Sequence, residues 1–168
     1  MGLGEKHRIT GGLQLILRDI RDGRIVLQRR AHNSIMDTGS QLVAGLFCGE
    51  VTEFVKAAGV GLADTTPDDH TLTGLADPVK DSEEVPVRAL THMAMGAASY
   101  VTFDPATRSA IVKLAATFAA DQANGRLVEA GLFNSETGGT LYNRVIFEPI
   151  NKSDTHELTL IWEITFSM

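Results

Sequence analysis

The sequence predicts a mainly β protein, an antiparallel β sandwich with an N-terminal hairpin and one short helix. Runs in which apolar and polar residues alternate recur along the chain, separated by clusters of Gly, Asp, Asn and Ser. Helical spacing of apolar residues occurs in one short stretch. The chain has 168 residues, 43% of them hydrophobic, which suffices for one core. We expect a hairpin arm at residues 1–34 and a β sandwich domain at residues 35–168.

The first element is the predicted hairpin. Alternate leucines from Leu13 to Leu17 share one face of a strand, and the alternation resumes at Ile25 after Asp22-Gly23. An Asp-Gly pair between two alternating runs favours a tight turn, because both residues tolerate positive φ. The pattern predicts a hairpin over residues 12–32 that either packs on the core or reaches a neighbouring molecule.

One short helix is predicted over residues 39–48. The polar side chains of Asp37-Thr38-Gly39-Ser40 can cap its first turn, and Gly49 can end it. We expect Cys48 to be a buried small hydrophobe rather than a reactive thiol, because it continues an apolar stretch. The helix is predicted to bury a single stripe formed by Leu42, Val43, Leu46 and Phe47.

The rest of the chain predicts strands, turns and one long loop. The clearest strand covers residues 158–166, where Trp162 lies on the apolar face, and we expect this strand inside the sheet with Trp162 buried. A surface loop is predicted over residues 63–84, and either this loop or the hairpin is expected to contact other subunits. The other predicted strands are residues 54–62, a loose run over 86–103 that pairs with 111–118, and residues 127–133 and 141–147.

Charge and composition argue against two classes of partner. The net charge of −6 argues against direct binding of nucleic acid, which requires clustered Lys and Arg. No apolar run approaches the ~20 residues that span a bilayer, and the N-terminus lacks the apolar core of a signal peptide, so no membrane partner is expected. The single cysteine excludes an intramolecular disulfide. A solvated hairpin face is the expected role of the basic cluster Arg18, Arg21, Arg24, Arg29 and Arg30, which is interleaved with Asp19 and Asp22.

The chain offers few candidates for chemistry. Asp68-Asp69-His70 is expected to be a solvated polar cluster, and Gly59-Val60-Gly61 is expected to end a strand rather than bind a dinucleotide. Glu129 lies in an apolar strand without a catalytic partner, and we expect a structural residue on a half-wet or subunit-facing side. We therefore predict no catalytic, cofactor-binding or metal-binding residue and no enzyme. Metal-site spacing is absent from the five histidines, His7, His32, His70, His92 and His156.

Several segments, taken in order, resemble small structural proteins of tailed-bacteriophage particles. In that family a start of the form N-x-[IV]-[VM]-x-[TS]-G precedes a strand ending in G-x-G and a loop carrying T-P and T-L. The matching segments here are residues 33–39, the helix at 42–47, Gly59-Val60-Gly61, Thr65-Thr66-Pro67 and Thr71-Leu72. A second signature is similar to the particle-attaching region of tail-collar fibre proteins, in residues 127–134, 138–141, 144–147, 149–152 and 158–166.

The resemblance covers about residues 33–166 and implies an enzymatically silent virion protein of the tail, baseplate, collar or fibre-attachment apparatus. Such a protein is made in the bacterial host cytoplasm and binds copies of itself, for example as a trimer, and other virion proteins. No fibre shaft follows the second signature, which implies a free-standing adaptor or decorating subunit. A capsid decoration protein stays open as an alternative. A small carbohydrate-binding or receptor-binding module also stays open, because of the aromatic residues Trp162, Tyr100 and Tyr142.

Overall fold

The computed structural model describes residues 8–63 and 69–167, and within these ranges it contains nine strands and one helix. In chain order they are β1 (Arg8–Asp19), β2 (Ile25–Ile35), α1 (Asp37–Cys48), β3 (Ala57–Gly61), β4 (Arg88–Met93), β5 (Val101–Asp104), β6 (Ser109–Phe118), β7 (Gly125–Phe133), β8 (Leu141–Lys152) and β9 (His156–Ser167). His7, Asp68 and the Thr65-Thr66-Pro67 segment, all named above, lie outside the described residues.

The strands form one antiparallel sheet that closes into a barrel of eight strands. The order around the barrel is β4-β3-β7-β8-β2-β1-β9-β6, and a pairing between β4 and β6 completes the ring. This closing pairing joins Thr91 to Ala116 and Met93 to Leu114. The ninth strand, β5, pairs with the first half of β6 on the edge that β4 leaves uncovered.

The predicted β sandwich is therefore wrong. A sandwich has two separate sheets that face each other, whereas here a single ladder runs around the core and returns to its first strand. The error comes from residues 86–103, which were predicted as one loose strand but form two, β4 and β5. In β4 only Ala89 is buried, so the strand that closes the barrel gives almost no alternation to recognise.

The hairpin is confirmed, and its described part belongs to the barrel wall. Strand β1 pairs with β2 from Gly12 to Arg18, and it pairs with β9 along its whole length. Gly23 adopts a φ of 71° in the turn, as the Asp-Gly pair predicts. Beyond this placement in the wall, the division of the chain at residue 34 stays a prediction.

The interior of the barrel is filled by large apolar side chains. Trp162 is fully buried, and β9 lies between β1 and β6, which confirms both predictions for the last strand. Such burial excludes water from the interior and provides the main stabilisation of the fold. The largest interior apolar side chains besides Trp162 are Leu13, Leu15, Phe118, Leu127, Leu132, Ile150, Leu158 and Leu160.

The helix is present, but it turns a different face to the core than predicted. Leu42 is buried, whereas Phe47 is 95% exposed and Cys48 is exposed, so the predictions for these last two residues are wrong. The buried face instead follows two glycines, Gly39 and Gly45. A Cβ at Gly39 would lie 1.9 Å from the carbonyl oxygen of Tyr142, so this face can approach β8 only where side chains are absent.

The ends of the helix also differ in part from the prediction. It begins after Met36, and no side chain caps its first turn, so the predicted capping is wrong. The Thr38 hydroxyl instead donates a hydrogen bond to the carbonyl oxygen of Leu141, at 2.7 Å. Gly49 ends the helix with a φ of 80°, which confirms the predicted stop.

Replacing Trp162 with alanine should lower the free energy of unfolding by about 3–5 kcal/mol, because it removes the largest side chain of the core and leaves a cavity. Denaturant unfolding followed by circular dichroism measures this loss. The control Phe47→Ala removes an aromatic side chain from the surface, and it should change the free energy by less than about 0.5 kcal/mol. A loss below about 1 kcal/mol for Trp162→Ala would contradict its place in the core.

Candidate functional site

A buried ion pair joins neighbouring strands on the outer face of the barrel. Glu129 of β7 and Arg144 of β8 have side chains that are 0% and 2% exposed, and the Arg144 Nε lies 2.8 Å from the Glu129 Oε2. The carboxylate also accepts hydrogen bonds from the backbone N–H groups of Ala76, at 3.2 Å, and Asp77, at 2.9 Å. Glu129 therefore binds both the next strand and the segment that crosses over it.

The segment that covers this pair fits against glycines. A Cβ at Gly61 would lie 2.3 Å from the Glu129 Oε1 and 2.7 Å from the carbonyl oxygen of Asp77. A Cβ at Gly131 would lie 3.1 Å from the side chain of Leu75. These residues of β3 and β7 lack side chains where the segment around residues 72–77 packs, which lets it lie directly on the sheet.

The prediction that Glu129 lies on a partly solvent-exposed face is thus wrong. The alternation of β7 did place it on the outer face, but the covering segment excludes solvent from that face. A general acid or base must reach a substrate proton, and this carboxylate has no exposed surface and accepts three hydrogen bonds. The pair fastens the long loop to the barrel.

A second buried charge organises the turn before β7. The ammonium group of Lys152 donates hydrogen bonds to the carbonyl oxygens of Ala119, at 2.8 Å, and Ala120, at 3.2 Å, and to the Asn124 Oδ1, at 2.9 Å. Burial lowers the pKa of Lys152. The sequence analysis did not identify Arg144 and Lys152 as structural charges, although both lie in β8, whose other residues are mostly apolar.

Two of the histidines contact separate partners in the described structure. His70 contacts the carbonyl oxygen of Ile35, at 3.1 Å, and His92 contacts the Thr117 hydroxyl, at 3.2 Å. No group of three His, Cys, Asp or Glu side chains within residues 8–63 and 69–167 is placed to hold a metal ion. Asp69 accepts hydrogen bonds from the Thr71 backbone and hydroxyl, which lower its pKa and form a local turn.

The three nominated aromatic residues do not form an exposed platform. Trp162 and Tyr142 are buried, and Tyr100 is 45% exposed. Burial raises the pKa of Tyr142 to about 12. Gly59-Val60-Gly61 forms the end of β3, as predicted. The basic hairpin cluster is mostly exposed, and three of its members, Arg21, Arg24 and Arg29, pair with acids, as Arg21 does with Asp19 at 2.6 Å.

The feature best suited to bind another molecule is the outer edge of β5. The carbonyl oxygen of Tyr100 accepts a hydrogen bond from the Lys113 N–H, at 2.9 Å, so Tyr100, and by alternation Thr102, directs its backbone groups towards β6. The same alternation directs the N–H and C=O groups of Val101 and Phe103 away from the barrel. We call Val101–Asp104 with these outward groups the β5 edge.

The β5 edge carries exposed apolar side chains, and its outward Val101 carbonyl oxygen accepts a hydrogen bond from the nearby Ser99 hydroxyl, at 2.6 Å, which leaves one lone pair for a further donor. Val101 is 54% exposed and Phe103 is 61% exposed. The strand contains no Lys and no Pro, the residues that commonly protect such edges. Asp104 is its one charged residue, and this carboxylate accepts hydrogen bonds from the Ala106 N–H, at 2.9 Å, and the Thr107 hydroxyl, at 2.8 Å, within its own turn.

Comparison with protein-family models, with curated proteins and with solved structures found no match to the chain. The helix within the described residues, α1, has 12 residues, too few to span a bilayer. Function is therefore inferred from the residues and their arrangement.

Replacing Glu129 with glutamine should lower the free energy of unfolding by about 3–5 kcal/mol, because it leaves the Arg144 charge buried beside a neutral amide. Denaturant unfolding measures this loss. The double variant Glu129→Met with Arg144→Met should lose less than the single variant, since it removes both charges together. The control Glu163→Gln breaks an exposed pair with Lys113 and should cost less than about 1 kcal/mol. Equal losses for Glu129→Gln and Glu163→Gln would contradict the stabilising role of the buried Glu129–Arg144 pair.

Proposed function

We propose that the chain is a structural subunit of a tailed-bacteriophage particle, in the tail, baseplate, collar or fibre-attachment apparatus, and that it acts by self-association and docking without catalytic turnover. Two features support the proposal. Residues 33–166 resemble small virion proteins in the order and local sequence of their segments. The β5 edge offers another molecule exposed apolar side chains and outward backbone groups that no described strand pairs with. The β5 edge is the observation that carries the proposal.

A second copy of the chain fits the β5 edge. Two antiparallel strands related by a two-fold axis at Thr102 bring Val101 of one copy opposite Phe103 of the other. The outward N–H and C=O groups then pair, and the exposed apolar side chains pack across the contact. The edge is its own complement because its one carboxylate is engaged within its own turn.

A capsid decoration protein would use the same edge, and only the location on the particle separates it from a tail protein. A carbohydrate-binding module is less well supported, since two of the three nominated aromatic side chains are buried. Glu129, the one buried carboxylate that sequence reasoning considered for acid–base chemistry, is enclosed and fully hydrogen bonded.

The particle-level test uses antibody raised against the purified chain. Immunoelectron microscopy of tailed-phage particles, collected from cells that carry the gene for the chain, should place the label on the tail, baseplate or collar. Label on the head would transfer the chain to the capsid decoration class. Unlabelled particles, with the chain left in the soluble fraction of the lysate, would overturn the virion role.

Replacing Val101 with lysine should dissociate the contact between copies, because it places a charge on the edge that pairs. Analytical ultracentrifugation of the purified protein at several concentrations should show a shift towards monomer, with a dissociation constant at least roughly tenfold higher. The matched control is Val26→Lys. Val26 lies in β2, away from the β5 edge, and its side chain is 49% exposed, against 54% for Val101. Dissociation by Val26→Lys but not by Val101→Lys would contradict the assignment of the β5 edge.

A further inference from the structure

The outer face of β1 has a hollow at Gly12. This residue lies in the middle of the strand and pairs with His32 on one side and Glu163 on the other. It contributes no side chain, and an open cleft of about 670 Å³ lies over it. We call this cleft the Gly12 hollow.

No steric requirement of the fold explains a glycine at this position. Gly12 does not have a positive φ. A Cβ here would meet only the carbonyl oxygen of Ala31, at 3.6 Å, which is an ordinary contact. Glycine in the interior of a strand is unfavourable, and it often marks a place where a ligand or another backbone approaches closely.

The rim of the Gly12 hollow is basic in a protein of net charge −6. Arg8, Arg30 and Lys113 line it together with one carboxylate, Glu163. Glu163 pairs with Lys113 at 3.0 Å, whereas neither Arg8 nor Arg30 forms an ion pair with any residue in the described ranges. The hollow therefore favours an anionic segment that is narrow enough to approach the backbone of β1.

An acidic hairpin tip projects elsewhere on the same molecule. The Val87 N–H donates a hydrogen bond to the Val79 carbonyl, at 2.8 Å, and the Asp81 N–H donates to the Val85 carbonyl, at 2.9 Å. These bonds make a small hairpin whose tip is Asp81-Ser82-Glu83-Glu84. All four tip residues are exposed.

The two surfaces lie on opposite walls of the barrel. The acidic hairpin is fastened to β3, where the Val79 N–H donates to the Val60 carbonyl at 2.9 Å. Around the closed ring, β3 and β1 are separated by the same number of strands in both directions. A tip on one wall and a hollow on the other cannot meet within one molecule.

We infer that the Gly12 hollow binds the acidic tip, residues 81–84, of a second copy of the chain. The inference rests on the proposed function as an assembly subunit and names a further contact for it, distinct from the β5 edge. Because the contact joins unlike surfaces on opposite walls, it propagates from copy to copy head to tail. It closes into a ring where the rotation between copies permits and otherwise grows as a filament.

Charge exchange between the two surfaces tests this contact. One variant carries Arg8→Glu with Arg30→Glu, and the other carries Glu83→Lys with Glu84→Lys. Each variant alone should associate at least roughly tenfold more weakly than the unaltered protein in sedimentation velocity, because like charges then face each other. An equimolar mixture should recover association, since the acidic hollow of one variant accepts the basic tip of the other.

A third variant, Gly12→Val, tests the hollow without changing charge. Its Cβ has room and valine suits a strand, so thermal unfolding should show a fold at least as stable as the unaltered protein. Its association should nevertheless weaken at least roughly tenfold, because the side chain fills the hollow. Unchanged association of Gly12→Val would overturn the proposed site.

The outcomes separate this contact from the proposed function. If both charge variants assemble alone as the unaltered protein does, the hollow–tip contact is overturned and the β5 edge is unaffected. If the hollow variant loses association while the tip variant keeps it, the second copy is overturned as the occupant. If Val101→Lys leaves only head-to-tail rings or filaments, and each charge variant alone leaves only pairs joined at the β5 edge, both contacts are supported. Failure of the assembly role itself would appear as an unaltered protein that is monomeric at every concentration and particles without label.

Discussion

Closure of the barrel depends on β6, the one strand of the described residues that pairs with three others. It pairs with β9 along one edge and with β4 and β5 in succession along the other. Because β4 occupies only part of that second edge, β5 covers the remainder and leaves its own far side open. A closed barrel otherwise removes the strand edges that invite association. The arrangement that completes the core thus also creates the exposed edge.

Glycines mark two of the close approaches between elements of this fold, whereas Gly12 lies in a strand where no close approach requires it. A side chain at Gly39 would collide with β8, and one at Gly61 would collide with the carboxylate of Glu129. At Gly12 the neighbouring space is open and the backbone conformation is ordinary. The same residue type therefore serves internal packing at two positions and shapes the outer surface at the third.

The strands with strong alternation were predictable from the sequence, and the contacts between distant segments were not. The regular spacing in β1 and β9 identifies both strands and their buried faces. In β4, small and polar residues contribute little apolar area, and closure there depends on backbone pairing that leaves no periodic trace. The burial of Glu129 likewise depends on a covering segment far away in the chain. Local pattern reports which residues face inward or outward, but it does not report what later lies over the outer face.

The pairing of β1 with β9 shapes how the molecule folds. These strands lie near opposite ends of the described sequence, so their ladder is among the last contacts that a growing chain can make. During synthesis the residues of β1 and β2 emerge long before those of β9, so the leucine face of β1, from Leu13 to Leu17, lacks its native cover until the later strands are made. A topology with such distant pairings folds slowly, because the ordering of the intervening chain precedes the gain from contact. Expression at low temperature or with chaperones should therefore favour recovery of native protein over aggregates.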